Sequence, residues 1–123
     1  ASATDHASEN LADILGARAV TARVDRFVRG IASEPGIDRY RGATVVLDPP
    51  RSGAGTAVVR SLTALAPAQI VYVACDPVAL ARDTRTLAED GYTLVSLRAL
   101  DLFPHTHHVE AIATFVRAEN RRP

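Results

Sequence analysis

Two runs of the chain, residues 43–47 (Ala-Thr-Val-Val-Leu) and 69–75 (Gln-Ile-Val-Tyr-Val-Ala-Cys), are almost continuously apolar and rich in β-branched residues. A strand with one wet face alternates apolar and polar residues; a strand without that alternation is expected to be buried on both faces, as in the middle of a parallel sheet. Between the two runs, residues 54–66 place Val58, Val59, Leu62 and Leu65 at helical spacing and stop at Pro67. After the second run, Asp76-Pro77 predicts a helix start: the carboxylate can accept an orphan amide, and a proline at the first helical position has no amide to waste. That helix is expected over residues 78–90, ending at Gly91. Residues 92–97 and 108–116 are strand candidates with no helix between them, the last pairing back antiparallel. The order predicts an α/β chain: the back half of a doubly wound sheet, mostly parallel, with an antiparallel C-terminal edge hairpin.

The pattern before residue 43 is weaker. Residues 8–15 resemble a helix end stopped by Gly16, residues 18–24 a strand ending at Asp25, and residues 27–32 a short helix before a Ser-Glu-Pro-Gly turn. Residues 119–123 have the composition of a frayed tail. The length of 123 residues suits one domain, and 47% hydrophobic content suits one core. No apolar run approaches the roughly 18 residues of a membrane span, and no secretory leader is evident. A single cysteine excludes an internal disulfide, so a cytoplasmic protein is expected. All fourteen basic residues are arginine, matched by fourteen acids. Arginine forks suit phosphate, yet a neutral chain exerts no net pull on nucleic acid, and GC-rich codon usage produces the same bias.

Ligand sites in parallel sheets lie beyond the carboxyl ends of the strands. Three of the expected strands end in polar or reactive side chains: Asp25, Asp48 and Cys75. Cys75 is placed where a strand gives way to a helix, with the positive end of the helix dipole and the Asp76 carboxylate both close by. The alternative is an inert buried thiol. Asp48-Pro49-Pro50-Arg51 is a rigid corner, because two prolines fix φ and delay any helix; an ordinary strand exit is the plainer reading. Gly53 and Gly55 supply flexibility behind it without forming a dinucleotide fingerprint. The run His105-Thr106-His107-His108-Val109-Glu110 invites a zinc site, but its spacing fits no closed zinc pattern, and no metal is expected.

Three segments in order give the chain a resemblance to the RNA uracil-C5 methyltransferase family. They are Val46-Leu47-Asp48-Pro49-Pro50-Arg51-Ser52-Gly53; Val71-Tyr72-Val73-Ala74-Cys75-Asp76-Pro77 with Leu80-Ala81-Arg82-Asp83; and Asp101-Leu102-Phe103-Pro104-His105-Thr106-His107-His108-Val109-Glu110. The resemblance implies a partial Rossmann-like class I methyltransferase sheet, with residues 1–123 as the C-terminal portion of the domain and the first strands missing. It implies S-adenosylmethionine as methyl donor and tRNA or rRNA as substrate. Cys75 would attack C6 of uracil and Glu110 would remove the C5 proton; Asp48 and, more loosely, Asp25 would contact the cofactor, and Arg51 and His108 the substrate. Asp76 and Ala74 depart from the Asn and Ser usual in the family. Without the glycine-rich turn and acidic strand end that cradle the cofactor, this chain alone is expected to be inactive and to self-associate through open sheet edges. Other readings are a methyltransferase for small molecules or proteins, which rarely needs such a Cys/Glu pair, and a non-catalytic RNA-binding or interaction module.

Overall fold

The computed structural model describes residues 2–102, 104–106 and 109–118, and in it the two apolar runs are neighbouring parallel strands. Strand β1 (Thr44–Leu47) leads through helix α3 (Thr56–Ala64) to β2 (Gln69–Ala74), which leads through α4 (Pro77–Glu89) to β3 (Tyr92–Leu100) and finally to β4 (Glu110–Arg117). Two helices precede them, α1 (Ala3–Asn10) and α2 (Val24–Ala32), with a 3-10 turn at Ile37–Tyr40. The order across the sheet is β1-β2-β4-β3.

That order refines the expected topology. Three strands run one way, but the antiparallel strand lies inside the sheet: β4 pairs with β2 on one side and β3 on the other, leaving β3 at the rim. The sheet is therefore mixed, with one parallel pairing and two antiparallel ones.

The core lies on one face of this sheet. Ile70, Tyr72 and Ala74 of β2 alternate inward and stand in register with Phe115, Ala113 and Ala111 of β4, so the large Tyr72 meets the small Ala113. Val59 of α3 and Leu80 and Leu87 of α4 close over them. Burying side chains of this size contributes on the order of 1.5–3 kcal/mol each. Helix α2 packs Val28 against Leu62 and Leu65 of α3 in a smaller cluster.

Four expectations need correction. The strand expected over residues 18–24 does not form; α2 begins at Val24 with Asp25 in its first turn, and Val28 and Ile31 pack with Leu62 and Leu65. The first helix occupies Ala3–Asn10, where Ser2 and Asp5 form a reciprocal cap, although Gly16 does adopt the left-handed conformation. β1 is not buried on both faces: Val45 and Leu47 reach the core, while Val46, directed the other way, is 67% exposed. The α3–α4 layer covers only the first of those faces, and β1 has one strand neighbour. The last two strands run longer than or out of step with the expected 92–97 and 108–116. None of the helices among the described residues is long and apolar enough to cross a membrane.

The buried tyrosines predict an alkaline weakness. Tyr92 donates to the Pro67 carbonyl at 2.7 Å, and burial pushes its pKa from 10.0 up to about 12. A raised pKa favours the neutral phenol in the fold, so its stabilisation is complete below pH 10 and is lost as pH climbs to about 12. Tyr92→Phe is expected to cost about 1 kcal/mol at neutral pH and to flatten the fall in denaturation midpoint across that window. Urea titrations on both sides of it check the slope; an unchanged slope would place the alkaline weakness elsewhere.

Candidate active site

The carboxyl ends of β1 and β2 and the amino end of β4 lie at one rim of the sheet, and the chemically loaded residues gather there. Ala74 pairs with Ala111 as the last step of the β2–β4 register. The next residues along the two segments are Cys75, just past the end of β2, and Glu110, the first residue of β4. Thirty-five positions apart in sequence (110 − 75), they thus lie at the same rim of the sheet, both half-buried. Glu110 is held from its other side by pairing with Leu100 of β3.

Cys75 sits just before the cap of α4. The Asp76 carboxylate accepts the Ala79 amide at 2.7 Å, and Pro77 opens the helix, as the residues predict. A small recess contains Cys75 together with Pro49, Pro50, Gly53, Tyr72 and Ala79. A much larger cavity, about 570 Å³, opens on the far side of the same two prolines, with Asp25, Asp48, Val46, Leu47 and Val58 among its lining residues. Pro49, Pro50 and Gly53, which line both the roomy cavity and the recess at the thiol, therefore form a partition between them, continued on the cavity side by Ala54.

Asp48 and Asp25 both line the large cavity, although Asp25 arrives on a helix rather than a strand end. The Arg23 guanidinium grips Asp25 at 3.1 and 3.3 Å, and that hydrogen bond, reinforced by charge, holds its carboxyl below the ordinary carboxylate range. Asp48 is exposed at the mouth. Arg51 is exposed on the turn closed by the Gly53 amide and the Pro50 carbonyl. His108 lies outside the described residues. Among the described residues no cluster of histidine, cysteine and carboxylate side chains could hold a metal.

The partition is fixed by residues to which the sequence analysis assigned no role. Asp83 of α4 is completely buried, and its Oδ2 accepts the Ala54 amide at 2.7 Å, the Gly55 amide at 3.3 Å and the Tyr72 hydroxyl at 2.6 Å. The Arg82 guanidinium donates to the Ser52 carbonyl from the same helix. Burial and the bond to Asp83 together push the Tyr72 hydroxyl upward in pKa. The sequence did carry a signal: Leu80, Asp83 and Leu87 share one helical stripe, so a carboxylate stands where a core residue belongs. Gly53 and Gly55 are not flexible points; both hold left-handed φ, at +80° and +81°.

The profile of the tRNA (Uracil-5-)-methyltransferase family matches residues 9–118. An uncharacterized RNA methyltransferase of Bifidobacterium longum is 55% identical over 73 residues, covering 59% of this chain and 17% of its own length. A 23S rRNA (uracil(1939)-C(5))-methyltransferase of Photorhabdus laumondii is 49% identical over 73 residues, covering 59% of this chain and 16% of its own length. The crystal structure of Pyrococcus abyssi tRNA (uracil-54, C5)-methyltransferase in complex with S-adenosyl-L-homocysteine superposes with a TM-score of 0.54 and 45% identity, over 59% of this chain and 18% of that one. The chain thus spans less than a fifth of the length of these relatives.

The clamp makes position 53 intolerant of any side chain. A Cβ there would stand 2.6 Å from both the Arg82 guanidinium and the Asp83 Oδ2, in a backbone conformation that L-residues avoid. Gly53→Ala is expected to destabilise by about 1–3 kcal/mol, read as a lowered denaturant midpoint. Gly55→Ala, with the same φ but open space around it, is expected to cost less.

Proposed function

Because the chain belongs to the tRNA (uracil-5-)-methyltransferase family, we propose that the whole protein methylates C5 of uridine in tRNA or rRNA through a covalent bond between Cys75 and C6 of the base. The observation that supports this reading is that Cys75, just past the end of β2, and Glu110, at the start of the neighbouring β4, belong to one rim of the sheet. Uracil C5 is a poor carbon nucleophile. Addition of the Cys75 thiolate to C6 pushes the ring electrons onto C5, which can then accept an electrophilic carbon. When bound, S-adenosylmethionine supplies that carbon as an activated methyl group. Glu110 then takes the proton from C5, and the electron pair left behind expels the Cys75 sulfur and restores the ring.

A base flanked by a nucleophile and a proton acceptor on neighbouring strands reacts without either group travelling, the condition under which positioning lowers a barrier most. The cofactor-side cavity has the size and mixed polar and apolar lining of a small-molecule site, with Asp48 at its mouth and Asp25 on its wall. Its position across the proline partition from Cys75 supports S-adenosylmethionine as occupant. The relative crystallised with S-adenosyl-L-homocysteine supports the same choice. The sheet as a whole fits a partial Rossmann-like methyltransferase domain, and a cytoplasmic place goes with its RNA substrates. Arg51, exposed beside the partition, is a candidate phosphate contact, and His108 a second substrate contact.

With 5-fluorouridine RNA and cofactor, the full-length protein is expected to form a covalent complex that survives denaturing electrophoresis, because fluorine at C5 cannot leave as a proton does. Cys75→Ala should abolish the complex. Glu110→Gln should lower turnover on ordinary RNA by about a hundredfold to ten-thousandfold while adduct formation persists. A complex formed equally by Cys75→Ala would overturn the nucleophile assignment. The open β1 edge and the exposed Val46 also favour self-association of the 123-residue chain, which light scattering at micromolar concentration checks; a monomeric mass excludes it.

A further inference from the structure

The buried Asp83–Tyr72 pair takes no part in the chemistry just described, yet it joins three elements around the thiol. Asp83 rises from α4, whose first turn follows Cys75; Tyr72 belongs to β2, which carries Cys75 at its end; and the amides they bind, Ala54 and Gly55, end the proline partition and open α3. Helix α3 has no side-chain cap of its own at Gly55. The Asp83 carboxylate supplies one from another helix, at the end where backbone amides point outward and negative charge is favoured. Its second oxygen, Oδ1, is buried without a hydrogen-bond partner and is met by the Arg82 guanidinium in an ion pair at 3.5 Å. Packing alone would favour an apolar residue at this place in the stripe, since burying a carboxylate is costly even beside a cation. The three bonds to Oδ2 are what the protein gains in return, and all of them fix the partition against the strand that ends in the thiol.

We infer that Asp83 and Tyr72 are positioning residues for methyl transfer: they set the spacing between the Asp48–Ala54 wall of the cofactor-side cavity and Cys75. This role rests on the methyltransferase reading above. A reaction that moves one carbon between two bound partners is sensitive to their alignment, and a misplacement of about 1 Å can cost a hundredfold in rate. The carboxylate locks the partition at two consecutive amides, so the partition cannot slide along β2 without breaking both. Gly53 is the matching concession: its missing side chain lets Oδ2 and the Arg82 guanidinium come close enough to close the lock.

The test uses the full-length protein with its RNA and S-adenosylmethionine. Tyr72→Phe removes one bond to Oδ2 and keeps the ring; Asp83→Asn keeps a carbonyl oxygen for the amides and removes the charge. Both are expected to lower kcat by about tenfold to a hundredfold while KM for RNA and for cofactor shifts by less than about threefold, with Tyr72→Phe still melting close to the parent. In the double variant the losses should fall short of additive, because the two side chains act through one lock. An active parent whose variants keep its kcat, or lose activity only in step with their folded fraction, overturns the positioning role and leaves the methyltransferase reading standing. A parent that transfers no methyl group overturns both.

Discussion

A single carboxylate oxygen, Oδ2 of Asp83, ties the second half of this fold together. It receives two amides from the loop after β1 and a hydroxyl from β2, and it is delivered by α4. Remove it in thought and three elements lose their common point: α3 loses the negative charge at its start, the proline partition loses its anchor, and Tyr72 is left with a buried hydroxyl near only the Ala54 amide. Hydrophobic packing brings α3, β2 and α4 into one core, but packing is tolerant of small slides. The directional bonds to Asp83 are not, and they determine where the loop stands relative to the thiol.

Much of the fold could be seen in the sequence because burial leaves a mark on residue order. The two unbroken apolar runs become β1 and β2, and the Asp76-Pro77 start of α4 is realised down to the bond that caps it. The placement of Cys75 just past one strand and of Glu110 at the start of another was likewise visible, since both adjoin strongly apolar segments. The pairing of β2 with β4 was less so. It depends on β4 entering the sheet between β2 and β3, which no local pattern encodes. Before residue 40 the helix expected over 27–32 is present as the body of α2, but the strand expected just before it is not, for a related reason. Residues 18–23 alternate weakly, and the helix that starts at Val24 owes its stability to a partner, α3, lying thirty residues further on.

Asp83 shows the opposite failure, a signal present but unused. A carboxylate on the buried stripe of α4, between Leu80 and Leu87, contradicts the hydrophobic pattern around it. Such contradictions carry more information than agreement does, because a fold tolerates them only where something else is gained. The glycines teach a similar point. Gly53 and Gly55 have the same φ, yet only Gly53 is pressed against the lock, so identical residues two positions apart face different constraints.

The insertion of β4 has a consequence for how the protein comes into being. As the chain leaves the ribosome, β2 and β3 both emerge before the strand that separates them, so β2 can pair with β1, but neither β2 nor β3 meets β4 until residues 110–117 arrive. Glu110 opens that strand, so the step that joins β2 to β3 also brings its carboxylate to the rim where β2 ends. Joining the two parts of the sheet and placing that carboxylate are one event.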